Sequence, residues 1–274
     1  MTDILSPKGM EPYFREKVVL HIYPSLDSTN NTAKSMSNPA HGTVVMADYQ
    51  TAGRGRHERS FFSPPGCGIY MSIILRPEMF WLDDLALFTP MAAVAVCEAI
   101  EATTQKSPQI KWVNDVFLNG KKICGILTEA VVSTDGEDNS TSSAVSHIVV
   151  GIGINFIVPS GGFPPEISQT AGALFDPLFD RYQHNDNAHF AIPSLRVQLA
   201  AEVINRMLSP KNSTNKILAE YKKRLLVLQR RVLVINPDST YEATALDINA
   251  QCGLIVQKDN GEILTLTAGE ISLR

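Results

Sequence analysis

The sequence predicts an α+β fold in which a large part built of strands and helices is followed by a small all-β part. Up to about residue 226, short runs of β-branched and apolar residues alternate with runs of helical periodicity. Residues 229–274 instead alternate short β runs with turn signals. The length of 274 residues fits one large domain with a smaller one attached.

The composition is that of an ordinary soluble globular protein. Apolar residues make up 44% and charged residues 19%, enough to bury a sizeable core. No apolar run approaches the length needed to span a bilayer, and the N-terminus lacks the pattern of a signal peptide. We therefore expect a cytoplasmic protein without a membrane partner. The net charge of −4 and the pI near 5.9 argue against DNA as its main partner.

The four cysteines indicate neither a zinc site nor a disulfide scaffold. They are widely spaced and belong to no CxxC or His-paired motif: Cys67, Cys97, Cys124 and Cys252. We expect reduced thiols and assign no metal-binding residues.

The chain divides into three stretches by composition. Residues 1–16 show little periodicity and are predicted to be a flexible lead-in, far too short for a helix-turn-helix module. Residues 17–226 form the large part, and residues 227–274 form the small β part.

A helix is predicted to begin after the first strand, with Asp27 or Ser28 as its N-cap. The free N–H groups of a helix start could let Ser28, Thr29 and Asn30 bind a small polar ligand. Spacing alone favours simple capping.

A long loop at residues 51–68 joins two predicted buried strands, at 43–48 and 68–75. It contains three arginines, Arg54, Arg56 and Arg59. Long loops inside compact domains are usually binding loops or lids. Guanidinium groups pair bidentately with phosphate or carboxylate, and the N–H groups of Gly53 and Gly55 can add donors. We expect a mobile loop that an anionic ligand orders, with a solvated basic turn as the alternative.

Three further elements follow in the large part. Residues 82–102 predict a buried helix that Pro90 either kinks or opens. Residues 109–128 predict a strand and then a hairpin with its turn at Asn119 and Gly120. Lys111 stands in the first of these strands between apolar residues, where a lysine is costly to desolvate without an anionic partner. Most strand lysines point to solvent, so a functional role and a structural one stay open.

The remaining stretches are predicted from composition and periodicity. Residues 133–146 are small, polar and acidic, which predicts a surface excursion. Residues 147–156 read as a core strand whose two glycines allow a ligand or another backbone to come close. Residues 159–187 predict a loop, and residues 194–208 and 215–226 predict helices.

Several short motifs occur together in one order along the chain. They are LDSTN at 26–30, GRGR at 53–56, KWVND at 111–115, KICGIL at 122–127, GIGIN at 151–155 and GEISLR at 269–274. Together they resemble the biotin protein ligase family over about residues 20 to 274. Their joint occurrence is far more specific than any one of them.

The resemblance implies a mixed β-sheet flanked by helices, related to class II synthetases, followed by a small SH3-like β-barrel. Residues 17–226 would be the catalytic domain and residues 227–274 the SH3-like domain. The chain departs from the family in two ways. Val113 stands where the family often has proline, and the DNA-binding domain of bifunctional members is missing, so a repressor role is disfavoured.

The resemblance also implies ATP-dependent activation of biotin to biotinyl-5'-AMP and transfer to a lysine of a biotin carboxyl carrier domain. The carboxylate of biotin must approach the α-phosphate, which requires positive groups in place. Lys111 and Arg56 would be catalytic, the lysine by bridging the two anions. Arg54 and Arg56 would lie in a loop that closes over the adenylate and excludes water. Mg²⁺ is expected with the triphosphate.

The same resemblance assigns the binding residues. Biotin would be held by Ser28, Thr29, Asn30, Gln50, Arg54, Gly55, Arg56, Lys111 and Gly125. ATP would be held by Arg54, Arg56, Arg59, Lys111 and Asn155. Among these, Arg59 is given a supporting role only.

Two other interpretations stay open: a lipoate or octanoate ligase or transferase of related fold, and a non-catalytic protein that binds biotin or nucleotide. The first would not be expected to combine GRGR with KWVND. The acceptor protein, a homodimer, the function of residues 133–146 and the side-chain roles of Asn114, Asp115 and Lys122 are also left open.

Overall fold

The computed structural model describes residues 5–76, 78, 85–132, 145–176, 188–209, 213–236 and 239–273. Within these ranges the strands form two sheets, and helices pack against the larger sheet. The α+β class is confirmed.

The larger sheet has seven strands in the order β1-β2-β3-β7-β6-β5-β4. They are β1 (Val19–Leu26), β2 (Thr43–Gln50), β3 (Gly68–Leu75), β4 (Gln109–Lys111), β5 (Asp115–Leu118), β6 (Lys121–Val132) and β7 (Val145–Asn155). β1 and β2 run parallel, whereas every other neighbouring pair runs antiparallel. The sheet is therefore mixed, as the family resemblance implied.

The helices differ in length and in how deeply they are buried. They are α1 (Pro7–Met10), α2 (Thr29–Lys34), α3 (Phe88–Thr104), α4 (Ala188–Leu208) and α5 (Thr214–Arg224), with short 3₁₀ turns at Glu11–Tyr13 and Leu85–Leu87. α3 packs against β5, β6 and β7 and buries most of its side chains. Pro90 lies in the first turn of α3, where its missing N–H has no intrahelical partner to lose.

The stretch Leu85–Thr104 is long and apolar enough to cross a membrane by length and composition. The expectation that no apolar run reaches that length was therefore wrong. Two thirds of this stretch is buried inside the protein, which is the arrangement of a core helix. Its apolar character is thus explained by packing against the sheet.

The turn at Asn119 and Gly120 joins β5 to β6 as predicted, and both residues have positive φ angles, 50° and 76°. Of the acidic stretch at 133–146, residues 133–144 lie outside the described residues. The loop predicted at 159–187 is irregular up to residue 176, and residues 177–187 lie outside the description.

The smaller sheet has five antiparallel strands in the order β11-β10-β9-β8-β12. They are β8 (Arg231–Asn236), β9 (Ser239–Ile248), β10 (Leu254–Gln257), β11 (Ile263–Leu266) and β12 (Glu270–Leu273). This arrangement is consistent with an SH3-like fold, although no β11–β12 pairing closes a barrel among the described strands.

The two sheets are joined by a shared core. Their buried residues belong to one contiguous apolar cluster, which includes Ile110 and Trp112 of the larger part and Val232 and Leu254 of the smaller part. The Trp112 indole N–H donates to the Cys252 carbonyl at 2.8 Å. The small sheet is therefore fixed against the strand that carries Lys111.

Residues 5–16 differ from the flexible lead-in that we expected. They contain α1 and the following 3₁₀ turn, and Met10 is completely buried in the main core. Ser6 caps α1 through a side-chain bond to the Gly9 N–H, and the Arg15 N–H donates to Asn205 on α4. These helices have only four and three residues, which is too few to show a helical periodicity in the sequence. Tertiary packing stabilises such short helices.

Replacement of Met10 by alanine tests this packing. Removing a fully buried methionine side chain should lower the free energy of unfolding by about 2 to 5 kcal/mol, measured by urea denaturation. Lys8→Ala, an exposed change on the same helix, is the control and should stay within about 0.5 kcal/mol. A Met10→Ala variant as stable as the control would show that the lead-in does not contribute to the core.

Candidate ligand-binding site

A polar cluster forms where helix α2 begins beside β2. Ser28, Thr29 and Asn30 are buried, with at most 4% of each residue exposed. Gln50 accepts hydrogen bonds from the Thr29 backbone N–H at 2.9 Å and from its hydroxyl at 3.2 Å. Ser28 occupies the N-cap position, but its side chain makes no capping hydrogen bond. Simple capping, which spacing alone favoured, is therefore not what this side chain does.

Three glycines leave the sheet bare next to that cluster. Gly125 on β6 lies directly opposite Gly153 on β7, and Gly151 is two residues away. A Cβ atom on Gly153 would lie 2.6 Å from the ring of Phe61, and one on Gly151 would lie 2.1 Å from the Asn30 amide oxygen. Only glycine fits at these two positions while Phe61 and Asn30 stay where they are.

A narrow cavity of about 30 Å³ lies between the polar cluster and the glycine surface. Six of the predicted biotin-binding residues line it: Ser28, Thr29, Asn30, Gln50, Arg54 and Gly125. Gly55, Arg56 and Lys111 do not line it, and neither do Arg59 and Asn155 from the predicted ATP set. Six other lining residues were not among the predicted binding residues: Phe61, Met71, Leu127, Gly151, Ile152 and Gly153. The GIGIN motif had marked the last three as a place of close approach.

The arginine-containing loop folds back over this cavity. The Gly55 N–H donates to the Arg59 carbonyl at 2.7 Å, and the Phe61 N–H donates to the Gly53 carbonyl at 2.8 Å. The loop thus has two arms, which we call the first arm (residues 53–55) and the second arm (residues 59–63). The Ser63 hydroxyl accepts a bond from the Gln50 amide at 2.9 Å, which ties the second arm to the polar cluster.

A buried arginine holds the far end of the loop. The Arg196 side chain on α4 is only 4% exposed, and its Nε donates to the Gly68 carbonyl at 2.8 Å. It also pairs with Asp48, whose carboxylate accepts the Gly66 N–H at 3.1 Å. The loop is therefore anchored at the point where it enters β3.

Each arginine of the loop is paired with a group on a different element. Arg54 donates to Glu129 on β6 at 3.1 Å and Arg56 donates to the Asn114 side chain at 3.3 Å. Arg59 forms two hydrogen bonds to Glu270 on β12, one of them at 2.8 Å. We expected an anionic ligand to order this loop. In the structure, the arginines of the loop are instead bonded to protein groups, which come from both parts of the chain.

Lys111 lies at the end of β4, on the side where the two sheets meet. Burial lowers the pKa of its ammonium group, whereas the nearby charges of Asp115 and Glu270 oppose that shift. The positive charges of Lys122 and Arg59 lower the pKa further. Lys111 is thus half-buried in a group of mixed charges, and the basic loop contributes one of them. Partial burial of a charged lysine is costly, which favours a functional role for Lys111 over a structural one.

The other residues of the KWVND motif hold neighbouring groups in place. The Asn114 amide donates to the Ile126 carbonyl at 2.9 Å while its oxygen accepts from Arg56. Asp115 forms an ion pair with Lys122 at 2.7 Å. Asn155, at the end of β7, donates its amide N–H to the Gly172 carbonyl at 2.9 Å.

Comparison with known proteins agrees with this fold and site. A model described as the biotin/lipoate A/B protein ligase family matches residues 22–155, and one described as the biotin protein ligase C terminal domain matches residues 227–274. The arginine-containing loop and the residues that line the cavity all fall within the first match. They define a protein of the biotin and lipoate ligase class.

Individual relatives narrow that class. A bifunctional ligase/repressor, BirA, of Bacillus spizizenii is 43% identical over 151 residues, which are 54% of this chain and 44% of the relative. The chain thus spans less than half the length of that relative. A biotin--[acetyl-CoA-carboxylase] ligase of Mycobacterium tuberculosis is 27% identical over 84% of this chain and 78% of its own. The chain belongs to the biotin protein ligase family.

Solved structures give the same result. The biotin protein ligase of Aquifex aeolicus in complex with biotin and ATP superposes with a TM-score of 0.68 at 25% sequence identity. The match covers 93% of this chain and 98% of that protein. The likeness therefore includes both sheets.

The Arg59–Glu270 pair predicts a pH-dependent contribution to stability. The hydrogen bonds from Arg59 hold the pKa of Glu270 below its ordinary value of 4.5, although partial burial opposes them. A carboxyl group with a lowered folded pKa stabilises the protein above the unfolded pKa, and this stabilisation is lost as the pH falls through the folded value. The wild type should therefore exceed Glu270→Gln in unfolding free energy at pH 7.

Both side chains are partly exposed, so that difference should not exceed about 1 kcal/mol. Urea denaturation of the two proteins between pH 7 and pH 3 measures it. The difference in unfolding free energy between the wild type and Glu270→Gln should shrink as the pH drops below the ordinary pKa of glutamate. A difference that stays constant or grows toward low pH would contradict the ion pair.

Proposed function

We propose that the protein activates biotin with ATP to biotinyl-5'-AMP and then transfers biotin to a lysine of a biotin carboxyl carrier domain. The observation that carries this proposal is one juxtaposition. A cavity with polar groups on one wall and glycine backbone on the other lies beneath a loop with three arginines, and Arg56 of that loop bonds to Asn114 in the same short motif as Lys111. Membership of the biotin protein ligase family supports the same reaction.

The polar wall suits the ureido ring of biotin. A ureido group offers one carbonyl acceptor and two N–H donors. The Ser28 hydroxyl can act as donor or acceptor, whereas the Thr29 hydroxyl, which donates to Gln50, can only accept. Gln50 holds Thr29 in position, and the Phe61 ring, which lies against Gly125 and Gly153, offers an apolar face for the rings of biotin. Such a site rejects analogues that lack the ureido group, because its buried polar groups would be left unpaired.

The first chemical step brings two anions together. A carboxylate oxygen of biotin attacks the α-phosphorus of ATP, the bond to the β-phosphate oxygen breaks, and pyrophosphate leaves. At an effective dielectric of about 20, two unit charges 4 Å apart repel by about 4 kcal/mol. We assign Lys111 and Arg56 to stabilise the charge in this transition state, since Arg56 bonds to Asn114 in the motif that carries Lys111.

The remaining ATP residues are proposed to act around this centre. Arg54 and Arg59 would contribute charge from the two arms of the loop, and Asn155 would contact the nucleotide from the end of β7. In the second step the amine of the acceptor lysine attacks the acyl carbon and AMP leaves. The loop would shield the mixed anhydride from water until then.

Mg²⁺ is proposed to arrive with the triphosphate. No three His, Cys, Asp or Glu side chains converge to hold a metal within the described parts of the chain. Mg²⁺ typically keeps several waters and binds one or two carboxylates plus phosphates, so this donor set fits an ion brought by the nucleotide. Asp115 and Glu270 are the carboxylates whose charges reach Lys111 and could assist. The ion would neutralise charge on the phosphates.

The organisation of the protein follows from the same proposal. Residues 17–226 are taken as the catalytic domain and residues 227–274 as an SH3-like domain that supplies Glu270 to the loop. The expected setting is the cytoplasm, and the partner is a carrier protein. The proposal includes no DNA binding, in line with the acidic pI near 5.9, and leaves a homodimer open.

Mass analysis after incubation with biotin, ATP and Mg²⁺ tests the reaction directly. We expect biotinyl-5'-AMP with biotin and no acyl-adenylate with lipoate or octanoate, because those acids lack the ureido group. Adenylate formed equally well with lipoate would favour the lipoate ligase interpretation. Biotin binding, seen as a thermal shift without any adenylate, would favour a non-catalytic binding protein.

Replacement of Lys111 by alanine tests the charge assignment. Loss of a group that stabilises developing charge should reduce the rate of biotinyl-5'-AMP formation by about 100-fold or more. Lys121→Ala is the matched control, because its ammonium contacts the Ser168 and Gln169 carbonyls at the surface and should leave the rate unchanged. Thermal unfolding of both variants checks the fold. A Lys111→Ala variant with the wild-type rate would contradict the role.

A further inference from the structure

Glu129 on β6 is the meeting point of three elements around the cavity. Its side chain is 20% exposed and accepts the Asn30 amide N–H at 2.8 Å. It also pairs with Lys34 at 2.6 Å, one turn further along α2, and with Arg54 at 3.1 Å. One carboxylate therefore joins β6 to the helix that carries the polar wall and to the first arm of the loop.

The Asn30 side chain has no donor left for a ligand. One amide N–H goes to Glu129 and the other to the Leu127 carbonyl at 3.2 Å. Its oxygen accepts from the completely buried Ser72 hydroxyl at 2.5 Å and lies against Gly151. The amide is thus fixed in orientation on all sides, which is the situation of a residue that organises a site.

These bonds continue through the polar wall to the other arm of the loop. Ser72 also contacts the Thr29 hydroxyl at 2.8 Å, and Thr29 is bonded to Gln50. Gln50 in turn donates to Ser63, whose hydroxyl donates to the Phe61 carbonyl at 2.9 Å. We call this chain of bonds from Glu129 to Phe61 the wall network. Its two ends hold the two arms of the loop over the cavity.

We propose that Glu129 is a positioning residue for the biotin site, holding α2 and the first arm of the loop at the mouth of the cavity through Asn30 and Arg54. Asn30 then acts on the ligand only through the wall network. This inference rests on the proposed function and adds to it a residue that no motif marked. Charge-assisted hydrogen bonds of this kind are the strong ones, and the carboxylate is mostly shielded from water.

The charge state of Glu129 agrees with this role. Burial raises the pKa of its carboxyl group, but the hydrogen bonds from Lys34 and Asn30 outweigh burial and leave the pKa below its ordinary value. Glu129 is therefore ionised at neutral pH and can hold both cationic partners.

Glu129→Gln keeps the size of the side chain and an acceptor for Asn30 but removes the charge that holds Arg54 and Lys34. We expect the KM for biotin to rise about tenfold or more because the mouth of the cavity loosens, with kcat changed less than threefold and the KM for ATP nearly constant. Glu262→Gln is the matched control. It removes the same charge from an exposed pair with Lys258 and should change neither constant.

Hydrogen exchange gives a second measurement that needs no activity. The Gly55 and Phe61 N–H groups, which donate across the two arms, should exchange faster in Glu129→Gln than in the wild type and the control. An unchanged KM for biotin together with unchanged exchange would overturn the proposal. A fall in kcat with both KM values constant would also overturn it, because that pattern belongs to a group acting in the chemical step.

A double variant separates the paired effect from two independent ones. If Glu129 acts through Arg54, the rise in the KM for biotin in Arg54→Ala/Glu129→Gln should be smaller than the product of the two single effects. A rise in the KM for biotin equal to the product of the two single-variant effects would show that Glu129 and Arg54 act independently, and would overturn this coupling. If the wild type forms no biotinyl-5'-AMP, the proposed function fails, and the exchange of the loop amides alone decides whether Glu129 holds the loop.

Discussion

Hydrogen-bond partners for the guanidinium groups of one arginine-rich loop are the constraint on which the rest of the site depends. Three guanidinium groups within six residues repel one another. The fold gives each its own partner, Glu129 on the large sheet, Asn114 beside Lys111, and Glu270 on the small sheet. The Arg59–Glu270 pair therefore links the small C-terminal sheet to the loop.

The cavity beneath the loop combines two surfaces with opposite properties. Its polar wall is held rigid by side chains that bond to one another, so it can present fixed donors and acceptors without rearranging. Its floor is bare backbone, because glycines occupy facing positions on β6 and β7. The cavity thus places fixed polar side chains opposite a glycine surface.

Local patterns were enough to predict much of this protein. The hairpin at Asn119 and Gly120 and the buried helix around Pro90 follow from residue preferences that act over a few positions. Met10 could not be predicted to be buried, since its helix is only four residues long and is held by tertiary contacts. Glu129 was missed for a similar reason, because its partners Asn30 and Arg54 lie 99 and 75 residues away. Motifs named most of the residues near the cavity but not Glu129.

The most direct test of the central claim is exchange of labelled pyrophosphate into ATP, which reports reversible adenylate formation at a site where two anions meet. We expect exchange that requires biotin, and we expect Arg56→Ala to lose most of it, because the positive charge that Arg56 holds against Asn114, near Lys111, would be missing. Exchange that proceeds equally without biotin, or that is unchanged in Arg56→Ala, would contradict the claim that this loop brings the two anions together.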